Sequence, residues 1–83
     1  MNNNNLKMGT MERLVEIDER MEQLRNMAKN CGRMIGMYRG MNHPNRDELA
    51  SVYENNLKSL EREYKELEAE RESLMSMRER QEV

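Results

Sequence analysis

Between Leu14 and Tyr38 the apolar and small residues fall at Leu14, Ile17, Met21, Leu24, Ala28, Cys31, Ile35 and Tyr38, in steps that alternate three and four. That is the heptad spacing of a helix packed along a seam. A second stripe, Ala50, Tyr53, Leu57, Leu60, Tyr64, Leu67, Arg71 and Leu74, keeps the same alternation. A breaker cluster, Gly40-Met41-Asn42-His43-Pro44-Asn45, separates the two, and His43, which precedes proline, is biased away from helix. The pattern predicts an all-α antiparallel two-helix hairpin, a coiled coil. Helix 1 is expected over about residues 10–39, the turn over about 40–45 and helix 2 over about 46–80.

Folding the chain at that turn sets the stripes against each other in layers. They run Tyr38 with Ala50, Ile35 with Tyr53, Cys31 with Leu57, Ala28 with Leu60, Leu24 with Tyr64, Met21 with Leu67, Ile17 with Arg71 and Leu14 with Leu74. Every layer has the same residue-number sum, so one register satisfies both halves. Large residues face small ones at Leu60 on Ala28 and Tyr38 on Ala50, as interdigitated packing prefers. Arg71 is the one charge on the seam; its stem is expected to pack while its head reaches Asp18 or water.

The element ends carry weaker signals. Residues 1–9, with the Asn2–Asn5 run, read as a disordered leader. Thr10 then stands as N-cap of helix 1. Gly32, Gly36 and Gly40 weaken the end of helix 1. An early stop with Gly32 as C-cap competes with continuation, which Ile35 and Tyr38 favour by keeping the heptad. Asn45 with Glu48 three residues on predicts a capping box for helix 2. Within helix 2, Glu54–Lys58 and Glu61–Lys65 are placed for i,i+4 support.

Composition narrows the class. With 83 residues, 36% of them charged and no Trp or Phe, the chain makes one domain and a thin core. One seam stabilises a chain of this size only weakly, so assembly into a four-helix bundle or a hetero-complex is expected. The single Cys, Cys31, lies on the seam and acts there as a small hydrophobe. No apolar run reaches membrane-spanning length and residues 1–9 lack the apolar core of a signal peptide. The expected location is the cytoplasm, without a membrane partner.

Candidate chemistry is sparse. His43 is the only His and Cys31 the only Cys, so no catalytic set, metal site or cofactor site assembles, and the expectation is a non-enzyme. The acids of helix 2, Glu63 and Glu70 among them, read as a solvated charged face. Surfaces say more. Of ten Met residues, Met27, Met34 and Met41 recur every seven along one edge of the helix 1 seam. Ala28, Gly32, Gly36 and Gly40 form a small-residue row along the other. Helix 1 is thus apolar over a wider arc than one helix covers. Met27, Met34, Met41, Gly32 and Gly36 are the expected partner-binding residues, toward a second copy or another helical protein, as in an adaptor, assembly factor or small chaperone. No acid lies between Glu22 and Asp47, whereas Arg25, Lys29, Arg33, Arg39 and Arg46 do. That expected basic tip supports an alternative, a nucleic-acid-binding or regulatory protein, although the net charge is −2. A structural assembly subunit is the third reading.

The turn Pro44-Asn45 leading into Leu49-Ala50, Tyr53 and Leu57 resembles the small helical hairpins of type III secretion, the needle subunits and the hairpin co-chaperones that hold them before export. The resemblance covers about residues 38–57. It implies a cytoplasmic protein that binds helices stoichiometrically. The charged end Arg78-Glu79-Arg80-Gln81-Glu82-Val83 departs from the apolar C-terminal segment of needle subunits and favours the co-chaperone side.

Overall fold

The computed structural model describes residues 3–82, with side chains from 9 to 77. Two helices, α1 (Asn3–Gly40) and α2 (Arg46–Glu82), pack against each other in antiparallel fashion. The result is a rod of 62 × 18 × 15 Å. Its radius of gyration is 18.7 Å, against about 12 Å for a compact chain of this length. The elongation follows from the heptads: a stripe of one period along each helix can bury only a line of contact, so the chain has one seam and no centre.

Every seam position is buried or half-buried. Ile17 is 0% and Leu24 and Ala50 1% exposed, with Leu14, Met21 and Cys31 also buried. Five of these six come from α1. The larger Tyr and Leu side chains of α2 lap over the α1 stripe and remain half-buried themselves. At the seam's charged position, Arg71 donates from Nε to Asp18 Oδ1 at 2.8 Å, so its stem packs while its head snorkels out as expected. Near the turn the Tyr38 and Tyr53 rings stack, centroids 5.7 Å apart at 24°. Tyr38 therefore reaches into the layer next to the one that pairs it with Ala50.

α1 runs through Gly32 and Gly36 to Gly40 without a break. Ile35 and Tyr38 pack on α2 and outweigh the helix penalty of the glycines. The helix begins at Asn3 rather than near Thr10. Residues 3–9 of the expected leader are thus helical, Met1 and Asn2 lie outside the described residues, and Thr10 is an interior residue, not a cap. Once a helix is nucleated each further residue adds a hydrogen bond at little cost, and no proline interrupts the stretch.

The turn is short and carries a backbone hydrogen bond at each end. Met41 N–H donates to Tyr38 O (3.1 Å) and Arg46 N–H to His43 O (3.2 Å). Asn45 is the cap residue of α2, because its carbonyl accepts the first helical bond, from Leu49 N–H at 3.0 Å. The expected capping box does not form. The Asn45 N–H that Glu48 was to bind donates instead to His43 Nδ1 at 3.0 Å; the imidazole, held two residues away by Pro44, is closer at hand. Asp47 and Glu48 still occupy the first turn of α2, where the helix dipole favours acids. Glu54 pairs across the hairpin with Arg39 rather than along the helix with Lys58.

A Cβ added at Gly32 or Gly36 meets nothing within 4 Å, so the hairpin itself has no use for their small size. Replacing both by Ala should raise stability by about 1 kcal/mol each, the ordinary helix-propensity difference. Urea unfolding followed by circular dichroism measures this. An unchanged or lowered midpoint contradicts the open, regular helix seen at these positions.

Candidate protein-docking interface

With the seam at heptad positions a and d, the e and g positions flank it on opposite sides of the rod. The g flank of α1 carries Arg13, Arg20, Met27 and Met34, with Met41 following just past the helix end; that of α2 carries Leu49, Asn56, Glu63, Glu70 and Met77. In an antiparallel pair g meets g, and the structure shows it. Arg13 binds Glu70 in bidentate fashion, Nε to Oε2 at 2.6 Å and Nη2 to Oε1 at 2.8 Å. One heptad on, Arg20 does the same to Glu63, at 2.7 and 3.1 Å. Each guanidinium is steadied by an acceptor three residues along its own helix, Glu16 for Arg13 at 3.3 Å and Gln23 for Arg20 at 3.2 Å. The unit Arg-x-x-Glu/Gln therefore repeats with the heptad and clamps the open half of the rod.

These clamps correct the reading of Glu63 and Glu70 as part of a solvated face. Both are half-buried and face arginines across the seam. Hydrogen bonding to Arg20 and Arg13 holds the two carboxyls below the ordinary value of 4.5. The same bonds raise the guanidinium pKa of Arg13 and Arg20.

Toward the turn the same flank changes character. Met27 is 45% and Met41 42% exposed, and Met34 is half-buried. Met37, at position c beside this flank, is 46% exposed and joins them. From α2 come half-buried Leu49, Val52 at 55% exposed, Asn56 and Ser59. Neither the g nor the c position of either helix holds a charge in this half. A groove of about 550 Å³ runs between the helices here, lined by Asn26, Met27, Asn30, Cys31, Tyr53, Asn56, Ser59 and Leu60. Its polar groups are neutral amides and hydroxyls. The surface is uncharged, apolar at the methionines, Leu49 and Val52 and polar at the neutral amides of the groove.

The opposite face carries the rest of the expected site. Gly32 and Gly36 lie at e and b, across the rod from the methionines, so the two sets of expected partner-binding residues do not share a surface. Arg25 lies on that face against Tyr64, with Nη1 donating to its hydroxyl at 3.0 Å and the guanidinium 5.9 Å from the ring centre. Arg39 is paired with Glu54. Lys29 and Arg33 have no ion-pair partner among the described residues, and Arg46 opens α2 beside Asp47 and Glu48. Arg25 and Arg39 are roughly 21 Å apart along the helix axis. The basic residues thus form a diluted stripe rather than a concentrated tip.

Met37 and Val52 were missed in the sequence pattern because the seven-residue spacing of Met27, Met34 and Met41 was followed alone. The signal was present: Met37 stands three residues after Met34 and four before Met41, which puts it on their side. Among the described residues no cluster of His, Cys, Asp and Glu is arranged to hold a metal ion, and no helix is long and apolar enough to cross a membrane. Comparison with known protein families, curated proteins and solved structures finds no match.

The clamps set a pH dependence. A carboxyl whose folded pKa is depressed contributes stability above its unfolded value, and that contribution is lost as pH falls through the folded one. The wild-type hairpin should therefore lose stability below about pH 4.5. Glu63→Gln with Glu70→Gln should be less stable at pH 7 and show a flatter decline between about pH 5 and pH 3. Urea midpoints measured across that window read both. Parallel declines for the two proteins mean that the clamps contribute nothing in solution.

Proposed function

We propose that this chain is a non-enzymatic protein-binding module that docks helical partners through the methionine-bearing face of its turn half. The observation that supports the reading is a single one. Met27, Met37, Met41 and Val52 are each more than 40% exposed, on a face of the turn half where the flanking g and c positions of both helices hold no charge. Exposed apolar side chains scattered singly are ordinary. A contiguous set rimmed by charges marks a contact surface. Methionine suits such a surface, since its unbranched thioether repacks against partners of different shape. A stoichiometric role follows, as adaptor, assembly factor or small chaperone, including the holding of export substrates that the resemblance to type III secretion hairpins implies. The nucleic-acid reading draws less support, because Arg39 is neutralised by Glu54 and Asp47 and Glu48 stand at the same end.

Replacing Met27, Met34 and Met41 together with Glu should abolish assembly while leaving helical content nearly unchanged, because the seam from Leu14 to Leu24 and from Leu60 to Leu74 is untouched. Sedimentation and co-purification from the native cell report assembly, and circular dichroism reports the helices. Normal assembly by the variant refutes the docking face. Outright unfolding refutes it too, for then the methionines belong to the hairpin's own core.

A further inference from the structure

We infer that the occupant of this face is a second copy of the chain, laid on it turn to turn about a twofold axis parallel to the rod, an arrangement that rests on the docking reading above. The uncharged part of this face, from Met27 to Met41, is about 21 Å long on a rod 18 Å wide. It offers roughly 400 Å², half of the ~800 Å² that each partner contributes to a stable interface. A stable dimer must therefore continue onto the charged half of the same face. The full 62 Å length supplies on the order of 1,000 Å² per copy, enough for that class of interface.

Charge then selects the orientation. On the open half of this face, α1 presents Arg13, Glu16 and Arg20, a net positive set, and α2 presents Glu63, Glu66 and Glu70; turn-to-turn pairing brings Glu16 opposite Glu70 and Ser73, one like-charge contact against the arginine–glutamate contacts. A twofold axis along the rod lays α1 of each copy over α2 of the other, at the same height. Arginines come over glutamates, and the methionines come over Leu49 and Val52. Glu66, exposed and without an ion-pair partner among the described residues, comes opposite Arg20 and Gln23 of the second copy. The alternative, turn to open end, lays the methionines over Arg13, Glu16 and Arg20. It desolvates those charges against apolar surface and sets no arginine of the second copy opposite Glu66. The amides of Asn26, Asn30 and Asn56 line the groove at the middle of the face, where the two copies cross the border between neutral and charged halves.

A spin label on Asn42→Cys, in a Cys31→Ala background, reports the orientation in the full chain. Turn-to-turn pairing sets the two labels within about 25 Å, roughly two helix diameters. Turn-to-open-end pairing sets them near the rod length of 62 Å. The dimer is expected to show the short distance, to be lost with Met27→Glu plus Met37→Glu, and to weaken by up to about tenfold with Glu66→Lys. Circular dichroism on each variant should show the hairpin still folded, since all three side chains are exposed. Labels near the rod length apart overturn the orientation and leave the methionine face standing. A folded monomer up to about 100 μM overturns the second copy, while partner helices captured through Met27, Met34 and Met41 remain open to the preceding test. A dimer indifferent to the Met-to-Glu changes overturns both.

Discussion

A lone seam is the constraint from which the rest of this structure follows. In a globular bundle a seam side chain is covered from two or three directions. Here it has one neighbouring helix and water on both sides. Burial is accordingly uneven: Ile17 and Leu24 are sealed, while Leu57, Leu60, Leu67 and Leu74 stay half-open. The flanks have to supply what the seam cannot. Arg13 and Arg20 reach across it to Glu70 and Glu63, and a guanidinium bonded across a seam draws its methylene stem over the residues beneath. Exposed ion pairs contribute little singly. Two bidentate pairs one heptad apart do something different, since a slip of one residue would break both at once. They specify register more than they add stability.

That device occupies only the open half of one face. Nearer the turn the same heptad positions hold Met27, Met34, Leu49 and Asn56, which cannot form an ion pair. Across the rod, Arg25, Lys29 and Arg39 face an acidic α2, and charge is nearly balanced there. Among the described residues the turn half therefore has a face whose solvation is poor and whose flanking g and c positions are neutral. Water gains by leaving it, and no buried charge penalises its covering.

The hairpin, its turn and its register were legible because a heptad is a property of backbone geometry. Side chains three and four apart share a face whatever their chemistry. Two stripes with one residue-number sum leave a single pairing. The start of α1 was not legible in the same way. Thr10 is a sound cap by type, but a cap is a local cue, and helix propagation from Asn3 overrides it. The capping box at Asn45 failed for a related reason. Residue type and spacing point to Glu48, yet the contact goes to His43, whose position is set by the proline after it. The Arg–Glu clamps lay one step beyond the seam. Flank partners are defined only after the register is, and the g-to-g rule applied to the predicted layers yields Arg13–Glu70 and Arg20–Glu63. Met37 escaped because one period was followed where two operate.

The distribution of these parts along the rod also has a dynamic consequence. The open half holds both bidentate clamps, the Asp18–Arg71 bond and the two sealed large seam side chains, Ile17 and Leu24. The turn half holds two interior glycines in α1, smaller seam residues in Ala28, Cys31 and Ala50, and a single cross-helix ion pair, Arg39–Glu54. Its helix is locally weaker, by the ordinary cost of Gly32 and Gly36, and less of its seam is filled by branched side chains. Regions of low local stability open more readily than the elements that hold register. The exposed methionines Met27, Met37 and Met41 lie in this half, and methionine is the least rotationally restricted of the large apolar residues. The two halves therefore divide opposed requirements between them. Register is held where charges interlock, and adaptability is kept where nothing charged has to be desolvated. A face built on the clamped half would have to break bidentate pairs to reshape itself, whereas the turn half can repack at the cost of side-chain torsions alone.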